Sequence, residues 1–410
     1  MGFIFRIVLA VLLFIALEFY FWKRLSSSLR TALGPSFKNK IRAGSLVFLI
    51  LVNIYPLYLV LNLLLIQLTH GRPYQQPQGG FFDYLIFFPF IILTLIIVQS
   101  LFIILPLDVL RLIIFPFIKK RREKAKLVIS WIVLGISSVF FVYVPLRIIY
   151  DFNTIEVRHV ELKKPGLPES LNNFRITLIS DTQADPYTNR KRLGRYIDRV
   201  NETKPDLVLV GGDVITSTPE YIGLAAEYLG KIRSRLGVYS CVGDHDNWAY
   251  RDDNPRSVRE VSAALSERKV DMLNNENKVF SVGDAKIGVT FVTSTYAGRI
   301  GTNLLDQLTE LNHSNIKILL THQPSQYLID RAKEENYDLL LAGHTHGGQI
   351  TFLFPFHNFT FTQLETKYVK GDFHMGNMLM IVTRGLGMSI VPFRYNSTPE
   401  ITVITLRKGS

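Results

Sequence analysis

The chain has 410 residues, 48% of them hydrophobic, and a formal charge of +12; it is long enough for two units and too apolar for a wholly soluble globule. The charge is uneven: positions 1–150 hold 16 Lys and Arg against 4 Asp and Glu, and positions 151–410 hold 30 of each. A nucleic-acid binder carries its positive surface on the folded part, so no nucleic-acid partner is expected, and the single cysteine, Cys241, excludes a disulfide framework or a Cys-rich zinc module.

Four apolar stretches approach or exceed the roughly 20 residues that cross a hydrocarbon core: Phe3 to Trp22, Ala43 to Leu68, Tyr84 to Leu105 and Leu127 to Tyr150. Pro56, Pro89 and Pro145 do not veto them, because spanning helices tolerate proline. Pro106 to Ile118 carries Asp108 and Arg111 and reads as a separate interfacial helix. No small-residue cleavage site follows the first stretch, so it reads as an uncleaved anchor. The basic loops after the first stretch (Lys23 to Arg42) and before the fourth (Lys119 to Lys126) belong on the cytoplasmic side, whereas Thr69 to Asp83 has only Arg72. The reading is a multi-pass protein of the cell or inner membrane, in contact with lipid. Residues 1–150 form its transmembrane anchor, and residues 151–410 form a domain outside the cytoplasm.

From about Glu156 short apolar strands alternate with amphipathic helical windows. Strands are expected at Phe174–Ser180, Asp206–Val210, Val238–Val242, Lys286–Val292, Ile316–Leu320, Asp338–Leu341, Met378–Val382 and Ile401–Leu406. Helices are expected at Arg190–Glu202, Glu220–Ile232 and Arg256–Glu267. This alternation indicates an α/β fold with a largely parallel sheet. Polar residues recur just past the strand ends, where open α/β sheets bind ligands: Asp181 and Gln183, then Asp213, then Asp244, His245 and Asp246, then His322, then His344 and His346.

Carboxylate and imidazole donors without thiolate suit divalent cations of the harder kind. Two ions a few ångströms apart need a bridging carboxylate, and Asp213, preceded by Gly211 and Gly212, is the candidate bridge. Other polar residues have plainer readings. His313, His357 and His374 read as surface histidines, Asp185 as a solvated loop residue, and Asp246 as a helix cap or an orienting partner of His245. Arg384 is either an anion-steering group or a structural ion pair, and Gly347 and Gly348 permit a tight turn.

Asp181-Thr182-Gln183, Gly212-Asp213, Gly243-Asp244-His245-Asp246, His322 and Gly343-His344-Thr345-His346 together resemble the ordered motifs of the calcineurin-like metallophosphoesterase superfamily. The run Gly343 to Ile350, with Arg384 to Gly387 and the segment near Glu400, is similar to its membrane-tethered, YkuE-like branch. The resemblance covers the chain from about residue 170. It implies a four-layer α/β/β/α sandwich, here preceded by a bundle of about four transmembrane helices, and two divalent metal ions (Mn, Fe, Zn or Mg). By the same resemblance Asp181, Asp213 and His346 hold one ion, with Gln183 at the position of a further ligand, Asp213, Asp244, His322 and His344 hold the other, and His245 is catalytic, contacting phosphate and helping to protonate the leaving oxygen. Two positions depart from the pattern. Gln183 stands where histidine is usual, which weakens the first ion's site or shifts it toward Mn²⁺ or Mg²⁺. Asp244 replaces asparagine and adds negative charge to the second.

The expected reaction is hydrolysis of a phosphomonoester or phosphodiester by a metal-bridging hydroxide, on a membrane-associated, lipid-linked or cell-envelope substrate. Two alternatives stand beside it: pyrophosphate cleavage in a lipid-linked or acylated sugar nucleotide, and a metal-binding interaction module weakened in catalysis by Gln183 and Asp244.

Overall fold

The structure, a computed structural model, describes residues 2–69, 80–251, 253–354 and 356–409. The loop expected to carry Arg72 on the outer face lies mostly outside them, at positions 70–79. Two compact units are present. One comprises Met1–Ile149 with Phe352–Phe359, and the other Tyr150–Thr351 with Thr360–Ser410.

The first unit contains the helices α1 (Gly2–Leu33), α2 (Lys38–Thr69), α3 (Phe88–Ile114) and α4 (Arg122–Asn153). Among the described residues three helical stretches, Pro35–Asn62, Asp83–Ile114 and Lys119–Asn153, are long and apolar enough to cross a membrane. They match three of the four expected spans. The fourth, Phe3–Trp22, falls inside α1 and is helical, but is not among those three. Phe21 of α1, Val52 of α2, Ile97, Leu101 and Ile104 of α3, and Val133 of α4 form one buried cluster. The separate interfacial helix expected over Pro106–Ile118 is not formed, because α3 runs through Pro106 to Ile114. Asp108 explains the continuation. It is buried against α1, accepting from Tyr20 Oη and Arg24 Nε, each at 2.7 Å, so the helix must extend one turn past the proline to place it.

The segment Phe352–Phe359 closes on itself as a short hairpin, with backbone bonds of 2.7 and 2.9 Å between its end residues. Gln99, fully buried in the apolar middle of α3, reaches this hairpin with both ends of its amide. Its Nε2 donates to the Leu353 carbonyl at 2.7 Å and its Oε1 accepts from the Leu353 N–H at 2.9 Å. Phe102, one turn on, packs its ring on those of Phe352 and Phe354, with centroids 5.5 and 5.9 Å away. An apolar setting offers no water to irregular backbone, so a side-chain amide that mimics a neighbouring strand is what makes the hairpin tolerable.

The second unit holds two six-stranded sheets. The first runs in the order β1 (Glu156–Lys164), β12 (Glu400–Lys408), β2 (Arg175–Ile179), β3 (Leu207–Val210), β4 (Val238–Ser240), β5 (Val270–Met272). The second runs β10 (Gly371–Met375), β11 (Met378–Val382), β9 (Leu339–Ala342), β8 (Ile316–Thr321), β7 (Ala285–Val292), β6 (Glu276–Val282). Strands β2 to β5 are mutually parallel, as are β11, β9, β8 and β7. The exceptions are β12 against β2, β10 against β11 and β6 against β7. The expectation of one largely parallel sheet thus becomes two mixed ones with parallel centres.

Alternate residues of the central strands bury both faces. Ile176, Leu178, Leu207 and Leu209 meet Ile287, Val289, Ile318, Leu320 and Leu341 in the core between the sheets. Val208 and Val210 instead face α5 (Arg190–Glu202), α6 (Ile222–Leu229) and α7 (Asn254–Ser266). Leu319, Leu340 and Met380 face α8 (Thr302–Glu310) and α9 (Gln326–Glu334). The result is the four-layer α/β/β/α sandwich. Parallel strands bring their C-terminal ends to one rim of each sheet, and there the polar motifs lie.

Gln99→Leu should strand the Leu353 amide and carbonyl and lower stability by about 1–3 kcal/mol. A reduced thermal midpoint of the full chain in nanodiscs is the expected reading; an unchanged midpoint would show that the amide does not hold the hairpin.

Candidate metal centre

Asp181 follows β2, Asp213 follows β3, and Asp244 with His245 follow β4. From the other sheet, His322 follows β8, and His344 and His346 follow β9. The structure draws all of the candidate residues to one place. Asp244, His322 and His344 form one set able to hold a cation, and Asp181, Asp213 and His322 another, with candidate ligand atoms within 4.8 Å of one another in each. His322 Nε2 lies 3.3 Å from both Asp213 Oδ2 and Asp244 Oδ2, and His344 Nδ1 lies 2.9 Å from Asp244 Oδ2. At the other end His346 Nε2 is 3.6 Å from Asp181 Oδ1, and Gln183 Nε2 is 3.2 Å from Asp213 Oδ2 and 3.3 Å from His346 Nε2. Asp213 joins the two ends.

The local backbone is bent to make this possible. Asp181, Gln183, Asp213, His344 and His346 all have positive φ, between 43° and 72°. Non-glycine residues rarely hold this conformation, and it concentrates where the fold over-determines a functional loop. Gly243 is needed because a Cβ there would fall 2.2 Å from both N and Oδ1 of Asp213. Gly343 is needed likewise, since its Cβ would lie 1.9 Å from Ser180 Oγ.

A further layer of residues fixes the orientation of these groups. Asp246, fully buried, accepts from the N–H groups of Asp213, Val214 and Gly243 at 2.8 to 2.9 Å. It ties the β3 and β4 loops together, rather than capping a helix or bonding His245. His322 Nδ1 donates to the Gly211 carbonyl at 2.7 Å, which turns Nε2 inward. Glu365 Oε1 accepts from His344 Nε2 at 3.0 Å, which turns Nδ1 inward. Asp244 is steadied by the Tyr296 N–H at 2.6 Å and Gln323 Nε2 at 2.8 Å. Behind His346, the buried Arg394 places Nη2 3.3 Å from Nδ1 and donates to the Gly387 carbonyl at 2.6 Å.

Sequence reasoning missed Gln323, Glu365 and Arg394. Only Gln323, adjacent to His322, stood near a motif. Arg384 proves to be the structural ion pair, 2.7 Å from Glu400 and 2.6 Å from Glu156, and does not line the site. Asp185 is buried rather than solvated, accepting from the backbone of Tyr187 and Thr188 and from Thr216 Oγ1.

The electrostatics of the two ends differ. At the Asp244 end burial opposes charge, yet His322, with His245 beside Asp213 and His344 beside Asp244, outweighs it and holds both carboxyls well below their usual range. The same contacts overcome burial to lift His322 well above 6.5 and His344 to about 9. This end calls for positive charge. At the other end burial pushes Asp181 up, and burial with the Arg394 charge pushes His346 well down. Gln183 is neutral, and its Oε1 is buried with no partner, an oxygen donor suited to a cation. The oxygen and imidazole donor set fits divalent cations, and fits them better at the Asp244 end.

His245 stands slightly apart. Its N–H donates to Asp213 Oδ1 at 2.8 Å and its Nδ1 faces the Thr216 carbonyl, so Nδ1 carries a proton. Nε2 points toward Ser389 Oγ, 3.4 Å away. His245 and the floor of the centre open into a cleft of about 560 Å³, whose lining includes Trp248, Ile350, Phe361 and Ile390.

A family model described as calcineurin-like phosphoesterase matches residues 174–348. The uncharacterized metallophosphoesterase YkuE of Bacillus subtilis is 30% identical over 257 residues, 62% of this chain and 86% of that protein. A transmembrane protein with metallophosphoesterase domain from Danio rerio is 31% identical over 264 residues, 62% of this chain and 58% of its own length. The uncharacterized metallophosphoesterase Cj0846 of Campylobacter jejuni is 27% identical over 311 residues, 75% of this chain and 78% of its own. The chain therefore spans little more than half of the Danio rerio relative. The family match covers the stretch that carries every candidate ligand, on the strand ends of the four-layer sandwich, and the chain belongs to the calcineurin-like metallophosphoesterase family.

Proposed function

We propose that this chain is a membrane-anchored, metal-dependent phosphoesterase that hydrolyses a phosphomonoester or phosphodiester of a membrane-associated substrate. The observation that carries the reading is the gathering of three carboxylates and three imidazoles from two sheets into one buried centre beside the imidazole of His245. Three helices able to cross a membrane, and a relative named as a transmembrane protein, support association with a bilayer. The 1–150 part serves as the anchor, multi-pass, and the 151–410 part is the catalytic domain.

Asp181, Gln183, Asp213 and His346 would hold one ion, and Asp213, Asp244, His322 and His344 the other. Bound divalent cations supply positive charge to phosphoryl oxygens and lower the pKa of water. The chain's own groups do the rest. The buried carboxylates exclude a second anion except where cations offset them, so a phosphate is admitted only to the charged floor of the cleft. His245 keeps one proton on Nδ1 against Thr216 and offers Nε2 to the cleft. A second proton at Nε2 is placed to pass to the leaving oxygen, as general-acid catalysis requires.

Proton competition gives a signed expectation. Ligation needs neutral imidazoles, while His344 holds its proton up to about pH 9 and His322 well above its usual range. Affinity for Mn²⁺ should therefore rise with pH through the neutral range. Between pH 7 and 6 the dissociation constant should increase about 10- to 100-fold, for one or two displaced protons. Titration calorimetry of the full chain reads it directly, and a pH-independent affinity would contradict the assignment of these ligands.

Two substitutions separate holding from catalysing. Asp213→Ala should lose both bound metal and turnover. His245→Ala should keep its metal while turnover falls by about 10²- to 10⁴-fold. Metal analysis with assay of generic esters distinguishes them, and full activity in Asp213→Ala would remove that residue from the centre. For orientation, a reporter fused after Ser410 should signal outside the cytoplasm; a cytoplasmic signal would reverse the topology read from the basic loops.

A further inference from the structure

The cleft above the centre has an unusual lip. Ile390 is 98% exposed and has φ of +65°, a conformation strongly disfavoured for a β-branched residue. It sits at the apex of a three-residue turn closed by the Val391 N–H on the Ser389 carbonyl at 2.6 Å. The turn is held from below by the nearly buried Gln349. Its Nε2 reaches the carbonyls of Ser389 and Val391 at 2.8 Å each and Phe393 at 3.0 Å, and its Oε1 accepts from the Ser389 N–H at 2.8 Å. The fold thus spends four polar contacts and a strained backbone to keep an isoleucine pointing outward. Phe361, 64% exposed, lines the same cleft, as do Ile350 and Val391. Apolar groups held exposed at the mouth of a charged site mark a ligand surface.

Two more observations say what the ligand is. A second cleft, of about 510 Å³, shares Tyr296, His344 and Glu365 with the first, but its remaining lining is mixed, setting Arg299, Gln326 and Lys367 beside Pro324, Tyr327 and Tyr368. The centre is therefore flanked by an apolar recess and by one that carries two cationic side chains, which fits a phosphate substituted on both sides. In addition, Ile350 and Phe361 are each two residues from the hairpin Phe352–Phe359, whose Leu353 backbone is bonded to Gln99 of the membrane-type helix α3. The apolar lining is continuous in sequence with the apolar run Phe352-Leu353-Phe354.

We infer that the substrate is an amphiphilic phosphodiester, whose hydrocarbon chain lies along Ile390, Phe361 and Val391 and whose polar part lies beside Arg299 and Lys367. The inference rests on the phosphoesterase reading above. Hydrolysis places a water oxygen on phosphorus and breaks the P–O bond to one substituent, which departs with the bond's electron pair and takes up a proton.

The test uses the full chain in nanodiscs with Mn²⁺ and a series of 4-nitrophenyl alkyl phosphates from ethyl to octyl, each below its micelle concentration. Full burial of a methylene is worth about fourfold and half burial about twofold, so kcat/KM should rise on the order of tenfold from butyl to octyl. Ile390→Ser with Phe361→Ser should flatten that slope. A slope unchanged in the double variant would assign the effect to partition into the bilayer and overturn the inference. A flat slope in the parent chain, with the ethyl ester turned over, would also overturn it and leave the phosphoesterase reading standing. Faster turnover of 4-nitrophenyl phosphate than of the octyl diester would remove the diester part. No turnover of any ester would bring down both readings together.

Discussion

Like charges converging in a buried place are the constraint around which the catalytic unit is built. Asp181, Asp213, Asp244 and Asp246 all have almost no exposure, and carboxylates so placed repel one another and lose hydration. The fold answers with directed donors in place of counter-ions. Asp246 is satisfied entirely by backbone N–H groups, and burial and the Asp213 charge nonetheless push its carboxyl up to about 6. Asp244 takes a backbone N–H and an amide, and His322 and His344 supply the rest. Once the imidazoles give up their protons, as ligation requires, the positive charge at the inner faces of Asp213 and Asp244 falls to a divalent ion, which has the size and charge to supply it.

Two sheets are required because one rim cannot supply this set. The first sheet brings carboxylates after β2, β3 and β4. The second brings imidazoles after β8 and β9. The apolar layer between the sheets holds the two rims in register, so the packing of leucines and isoleucines far from the centre decides the distances within it. Strain at the ligand loops follows from the same demand. Side chains leaving parallel strands must turn back toward a common point, and left-handed residues make that turn.

Much of this was legible because the central strands are uninterrupted apolar runs, as strands covered on both faces must be. The eight strands expected from the sequence are central strands or lie next to them. The four that were not anticipated, β1, β5, β6 and β10, are the four sheet edges. Edge strands such as Glu156–Lys164 carry Glu, Arg, His and Lys, which blunt open edges and erase the apolar signal. The chemistry-bearing residues were readable for a similar reason, since each follows an apolar run and most lie near a glycine or another motif residue. Glu365 and Arg394 were not, because they reach the centre from irregular segments whose course only tertiary contacts determine. The continuation of α3 past Pro106 was hidden in the same way: its cause is a partner, Tyr20 and Arg24, on another helix.

The hairpin clasped by Gln99 changes what counts as a separable piece of this molecule. A truncation beginning near Tyr150 would discard Gln99 and Phe102 yet keep the tongue they contact, removing the Phe102 ring from Phe352, Phe354 and Phe359 and the Gln99 amide from the Leu353 backbone. Such a product would be sticky for a reason unrelated to its chemistry, and shortening the tongue to a plain turn would be the remedy. The helices are thus less a leash, to be cut at will, than part of a packed unit that residues from late in the chain complete.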